Sequence, residues 1–267
     1  MNIRAKKSFG QHFLTDQHVV RKIVEAAEIV PRQWILEIGP GTGVLTRALV
    51  DAGANVAAVE ADHDLIHPLR EQFENKIILF EGDILGSAGK AAEKFLQDQK
   101  MPFQVVANIP YNITSPILEH FFRETPYPFR LVLMVQKEVA DRMLATPPDM
   151  SLLSVVIQLY ATGKKVVKVS SGAFRPSPKV DSMVVRLDRR STWIKGINPE
   201  NVIAVAKAGF HARRKQLHRN IAEAGFCSSE EMKQILFRLG KDSRSRAENL
   251  TVEDWAELTS LLVNRKK

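Results

Sequence analysis

The 267-residue chain contains a single cysteine, Cys227. No intrachain disulfide can form, no cysteine-based zinc site is expected, and the usage fits a reducing compartment. No apolar run approaches the ~18 residues of a membrane span. The opening stretch, MNIRAKKSFGQHFL, carries charge but lacks the apolar core of a secretory signal. No metal-ligand spacing is apparent and no metal is expected. Internal repeats and low-complexity tracts are also missing. What remains is an ordinary globular composition, 45% hydrophobic, expected to work in the cytoplasm, away from membranes and as a monomer.

Charge is present and unevenly placed. The net charge is +8, yet residues 34–163 carry 16 acidic against 10 basic side chains. The flanks reverse this: 6 basic against 3 acidic over residues 1–33, and 9 against 2 over residues 164–195. Residues 197–267 carry 13 against 9. An acidic body with basic flanks suits a phosphate polymer, whose counterions would be released on binding. A merely solvated surface is the plain alternative.

Short apolar runs at Trp34–Ile38, Val56–Glu60, Ile77–Phe80, Phe103–Ala107 and Leu131–Val135 have the character of buried parallel strands. Helical patterns lie between them. The clearest has Ser115 as cap, Pro116 at the first helical position, and Ile117, Leu118, Phe121 and Phe122 on one face. Such alternation predicts an α/β parallel sheet with right-handed crossovers. Lys165–Val169 and Ser182–Leu187 read as further strands, a hairpin closing one edge. From residue 197 only helical patterns appear, including a capping box of Ser228 and Glu231. The expected division is therefore a sheet domain over 1–196 and a small helical domain over 197–267.

The stretch ILEIGPGTGVL sets Gly39, Gly41 and Gly43 between the first strand and the first helix. Glycine allows tight turning and close approach of backbone to a ligand. A dinucleotide loop would need G-x-G-x-x-G, but residue 44 is valine. The observed Glu-x-Gly-x-Gly-x-Gly resembles the S-adenosylmethionine (SAM) loop of Rossmann-like methyltransferases. Glu60, ending the second strand, can accept from a ribose diol. Asp83, ending the third, can accept from an adenine amine. Either carboxylate taken alone could equally be a solvated strand cap.

The fourth strand ends in Asn108-Ile109-Pro110-Tyr111. An aromatic amine is a weak nucleophile because its lone pair is delocalised into the ring. Two acceptors gripping its hydrogens would free that lone pair. The side-chain oxygen of Asn108 is one, and the Ile109 carbonyl, aimed by Pro110, is the other. Tyr111 offers a ring on which a base stacks.

KKSFGQHFL, EIGPGTG, VVANIPYNI, LMVQKEVADRM, FRPSPKVDS and RSRAENLT occur in this order. With these, the chain resembles, over essentially its whole length, the small-subunit ribosomal RNA adenine dimethyltransferases of the KsgA type. Asparagine is frequent in that family where this chain has His12. The resemblance implies SAM as cofactor, ribosomal RNA in the small-subunit precursor as partner rather than DNA, and two adjacent adenines near the 3′ end as substrate. It places His12 and Leu14 beside the cofactor with Gly39, Gly41, Glu60, Asp83 and Asn108. It places the FRPSPKVDS loop over the active site, where Phe174 either sandwiches the target base with Tyr111 or packs in the core. It assigns RNA phosphates to Arg213, Arg214, Lys215 and Arg219, spread by helical spacing, and gives Lys6 and Lys7 a similar role. Rival readings are a large-subunit methyltransferase of the macrolide-resistance type, which shares NIPY, and a non-catalytic RNA-binding assembly factor. A DNA adenine methyltransferase is disfavoured because no separate major-groove reading module is apparent.

Overall fold

The computed structural model describes residues 5–6, 9–123 and 126–263. A two-residue strand, β1 (Phe13–Leu14), precedes helix α1 (Gln17–Ala27). Strand and helix then alternate through β2 (Trp34–Ile38), α2 (Val44–Asp51), β3 (Asn55–Glu60), α3 (His63–Phe73) and β4 (Ile77–Glu81). The alternation continues through α4 (Ser87–Asp98), β5 (Phe103–Asn108), α5 (Thr114–Arg123) and β6 (Arg130–Gln136). All five apolar runs are strands. Those inside the sheet, β2, β3, β5 and β6, are buried almost end to end, because helices cover both faces. The edge strand β4 is only partly buried. Helix α5 starts at Thr114, one residue before the expected cap, so Pro116 is its third residue. A proline is tolerated there because the first-turn N–H groups have no intrahelical partner.

After α6 (Lys137–Met143) and α7 (Leu152–Tyr160) come β7 (Ala161–Val169), β8 (Phe174–Arg175) and β9 (Ser182–Arg189). The main sheet runs β4-β3-β2-β5-β6-β9-β7. Strands β2 to β6 pair in parallel, and β9 lies antiparallel to β6. The chain builds outward from β2 to β4, then returns to β5 on the other side of β2. That reversal, between β2 and β5, is where open α/β sheets leave a crevice at their carboxyl ends.

The first unit comprises residues 1–140 and 163–189, the second 141–162 and 190–267. The helical unit is thus larger than the expected 197–267. Helix α7 belongs to it, burying Val155 and Leu159 among Val202, Ile235 and Trp255. No linker signals this division, because α7 ends at Tyr160 and β7 begins at Ala161. The unit also contains α8 (Pro199–Gly209), α9 (Leu217–Glu223), α10 (Ser229–Arg238) and α11 (Val252–Val263). The Ser228–Glu231 capping box forms at the start of α10.

Candidate active site

The sheet register brings the strand tips together. Ile38 lies opposite Val59 on one side and Ala107 on the other. The next residues, Gly39, Glu60 and Asn108, therefore adjoin at one end of the sheet. Gly39 and Gly41 hold φ of +65° and +59°, a region that L side chains rarely adopt. A Cβ built on Gly39 would meet nothing within 4 Å, so the loop leaves open space beside it.

That space is a cavity of about 250 Å³. Gly39, Gly41, Glu60 and Asp83 line it, as do Asn108, Ile109, Pro110 and Tyr111. His12 reaches the same cavity from the N-terminal segment. Leu14 does not. It is buried, beside a smaller hollow that shares Gly39, Gly41 and Asn108 with the main cavity.

The N-terminal segment is carried to the site by β1, which pairs antiparallel with β8, Leu14 opposite Phe174. The His12 Nδ1–H donates to the Pro176 carbonyl at 2.7 Å. Its ring lies 6.1 Å from that of Tyr111, with planes 22° apart. Phe174 departs from expectation. It is 0% exposed, packed in the core with Leu14, and has no face on the cavity. Its place in β8, opposite a buried leucine, puts its ring inside the protein.

Each carboxylate is held by its own surroundings. Glu60 accepts from the backbone N–H of Gly41 at 3.0 Å and of Asp62 at 2.9 Å. Burial raises its pKa, and those two bonds oppose the rise. Asp83 stands exposed at the rim, one oxygen capping the Leu85 N–H at 3.0 Å. Glu37, buried in β2 two residues before Gly39, is pushed up to about 8 by burial. Its Oε2 has no hydrogen-bond partner, and the residue lines the smaller hollow. Asn108 donates from Nδ2 to the His12 carbonyl at 3.1 Å. Among the described residues its Oδ1 takes part in no hydrogen bond.

Lys6 was expected to meet RNA. It instead pairs with Asp62 at 2.5 Å and Asp64 at 2.6 Å, because its segment folds back toward the tip of β3. Gln11 Nε2 donates to the other Asp62 oxygen at 2.7 Å. Lys7 lies outside the described residues. Arg213, Arg214 and Lys215 sit in the turn between α8 and α9 rather than on a helix. Arg213, Arg214 and Arg219 are exposed, and Lys215 pairs with Glu223 at 2.7 Å. Asn220 holds the turn from beneath, donating to the carbonyls of Gly209 and Ala212 at 2.6 and 3.1 Å.

Sequence reasoning missed several residues. Gln11 and Phe13 line the cavity from within KKSFGQHFL. Asp62 gave a signal, a carboxylate two residues past Glu60. Glu37 did too, as the acid that opens the glycine motif. Ser182 gave none, because nothing in its spacing connects it to Tyr111.

The residues fit SAM on three counts: the glycine cradle leaves room, the Glu60 oxygens retain lone pairs for a diol, and Glu37 presents an unpartnered carboxyl oxygen near the loop. Comparison with known proteins agrees. The chain matches the family model described as ribosomal RNA adenine dimethylase over residues 2–264. It is 43% identical over 270 residues to the ribosomal RNA small subunit methyltransferase A of Thermosynechococcus vestitus, covering 97% of each chain. It is 38% identical over 259 residues to the protein of that name from Dehalococcoides mccartyi, covering 96% of this chain and 88% of the relative. Among solved structures, a dimethyladenosine transferase from Plasmodium falciparum superposes with a TM-score of 0.78 at 28% identity, over 96% of this chain and 98% of that one. The 23S rRNA methyltransferase ErmE gives 0.76 at 27%, over 94% and 99%. The sheet with its glycine cradle is thus a methyltransferase fold, and the chain belongs to the ribosomal RNA adenine dimethylase family.

Proposed function

We propose that this chain is the SAM-dependent enzyme that dimethylates the 6-amino groups of two adjacent adenines near the 3′ end of small-subunit ribosomal RNA, in ribosome biogenesis. The single observation carrying the catalytic part is the orientation of Asn108. With Nδ2 bonded to His12, its oxygen is the end left for a substrate N–H. Glu60 would hold the cofactor's ribose hydroxyls and Asp83 its adenine amine, with the open space beside Gly39 giving it room. When bound, SAM supplies an electrophilic methyl on a positively charged sulfur. Asn108 Oδ1 and the Ile109 carbonyl hold the two amine hydrogens, and Tyr111 stacks the base. One amine proton departs to water after transfer, so positioning and acceptor bonds carry the rate and no dedicated base is required. The second methyl needs the monomethylated amine to return with its remaining hydrogen gripped.

Small-subunit RNA is favoured over large-subunit RNA by identity: 38–43% to the small-subunit relatives, against 27% to ErmE. The chain acts as a monomer in the cytoplasm on a small-subunit precursor. Among the described residues no helix is long and apolar enough to cross a membrane. Tritiated-methyl transfer to unmodified subunits, with the labelled nucleotides mapped, tests the assignment. Label on two adjacent small-subunit adenines is the expected result, and label confined to large-subunit RNA overturns it.

A further inference from the structure

A base stacks on any aromatic face, and phenylalanine would supply one as well as tyrosine. Tyr111 has a hydroxyl, and its use is specific: Tyr111 Oη lies 2.6 Å from Ser182 Oγ. Ser182 is fully buried and opens β9, where it sits opposite Gln136 of β6. The preceding backbone is fastened too, since the Lys137 N–H donates to the Asp181 carbonyl at 3.0 Å. The Asp181 carboxylate pairs with Lys168 at 2.9 Å. At its other end, the Tyr111 ring leaves a short helical turn, Tyr111–Ile113, closed by the Ile113 N–H on the Pro110 carbonyl. The ring is therefore held at both ends of its long axis. A phenol's O–H lies in the ring plane, so the anchor restrains the plane as well as the axis.

We propose that Ser182 is a positioning residue for capture of the substrate adenine, fixing the Tyr111 ring as a rigid stacking platform. The stretch FRPSPKVDS then serves the site through its last residue, Ser182, while its first, Phe174, is core. The proposal rests on Tyr111 being the stacking ring.

The test uses the full chain, unmodified small subunits, and the variants Tyr111→Phe, Ser182→Ala, the double variant and Tyr111→Ala. Loss of one neutral hydrogen bond should lower kcat/KM for the RNA about three- to tenfold in each single variant. The double variant should be no worse than either single, because both remove the same bond. SAM affinity by calorimetry should not change. In NMR spectra with ring-labelled tyrosine, Ser182→Ala should move the Tyr111 signals and leave Tyr127 and Tyr160, the other two tyrosines. Additive losses, or wild-type kinetics in both single variants while Tyr111→Ala is severely impaired, would overturn the anchoring role. Wild-type kinetics in Tyr111→Ala would instead remove the stacking ring itself.

Discussion

The side-chain nitrogen of Asn108 donates to the carbonyl of His12 at 3.1 Å, and this bond decides which end of the amide faces the cavity. An asparagine has two donors and an acceptor to place. Here the N-terminal segment takes a donor and leaves the oxygen. Asn108→Ala should therefore reduce turnover by about 10²-fold, the usual scale for removing one aligned hydrogen-bonding group from a transition state. SAM affinity should change by no more than a few-fold. Single-turnover methyl transfer together with calorimetry separates the two quantities, and equal losses in both would sink the acceptor role.

Glu37 gives a pH dependence with a definite sign. Burial pushes its carboxyl up to about 8, and the neighbouring Glu60 adds to this. Below pH 8 the cofactor-free chain therefore carries Glu37 protonated. A cation bound beside it favours the ionised form, so SAM binding should release a proton and tighten from pH 6 to 8, then level off. Glu37→Gln should flatten that profile. Stability runs the other way. The folded pKa lies above the ordinary 4.5, so the unfolded chain ionises first, and Glu37 costs stability as pH rises from about 4.5 to 8. Glu37→Gln should thus lose less Tm than the wild type over that interval. Parallel pH profiles for the two proteins would remove Glu37 from the cofactor's surroundings.

What was legible in the sequence was whatever chain periodicity or local spacing encodes. The strand runs were visible because parallel strands covered on both faces must be apolar throughout. The cavity's Gly39, Glu60, Asp83 and Asn108 were visible because each lies at or within two residues of a strand's end, and parallel strands align those ends. Contacts between distant segments were not. Phe174 looked like a site residue, but pairing with β1 turned it into the core. Lys6 looked like a free cation, but its segment folds back onto Asp62 and Asp64. The basic turn at 213–215 looked helical, because nothing local shows that α8 stops at Gly209. The boundary at α7 was hidden because helix and strand abut without a linker residue.

Asp62 is the hinge point of the N-terminal segment. It is buried and accepts from Lys6, Gln11 and the Asp64 N–H. Burial alone would raise its carboxyl, but Lys6 and Gln11 outweigh burial and hold it below the ordinary 3.8. Its contribution is thus fully present above that value and lost as pH falls through the folded pKa. Asp62→Ala should release Gln11 and His12 from the cavity edge. Amide exchange over residues 9–13 should accelerate at least tenfold, and SAM should bind several-fold more weakly. Unchanged exchange would mean that the β1–β8 pairing alone holds the segment.

The basic turn makes a prediction in salt. Arg213 and Arg214 are exposed and presented by a turn that Asn220 fastens. Each phosphate contact adds about 0.7–0.9 to the slope of log affinity against log salt. Replacing both arginines with alanine should reduce that slope for small-subunit RNA by roughly 1.5, with SAM affinity unaltered. Lys215 is already engaged by both Glu223 oxygens, at 2.7 and 2.9 Å. Lys215→Ala should therefore change the slope by less than half of what the double arginine variant does. Asn220→Ala removes no charge, so it should weaken RNA binding through a loosened turn while leaving the slope near wild type. Filter binding from 50 to 300 mM salt distinguishes these outcomes, and an unchanged slope in the double arginine variant would place the RNA on another face of the protein.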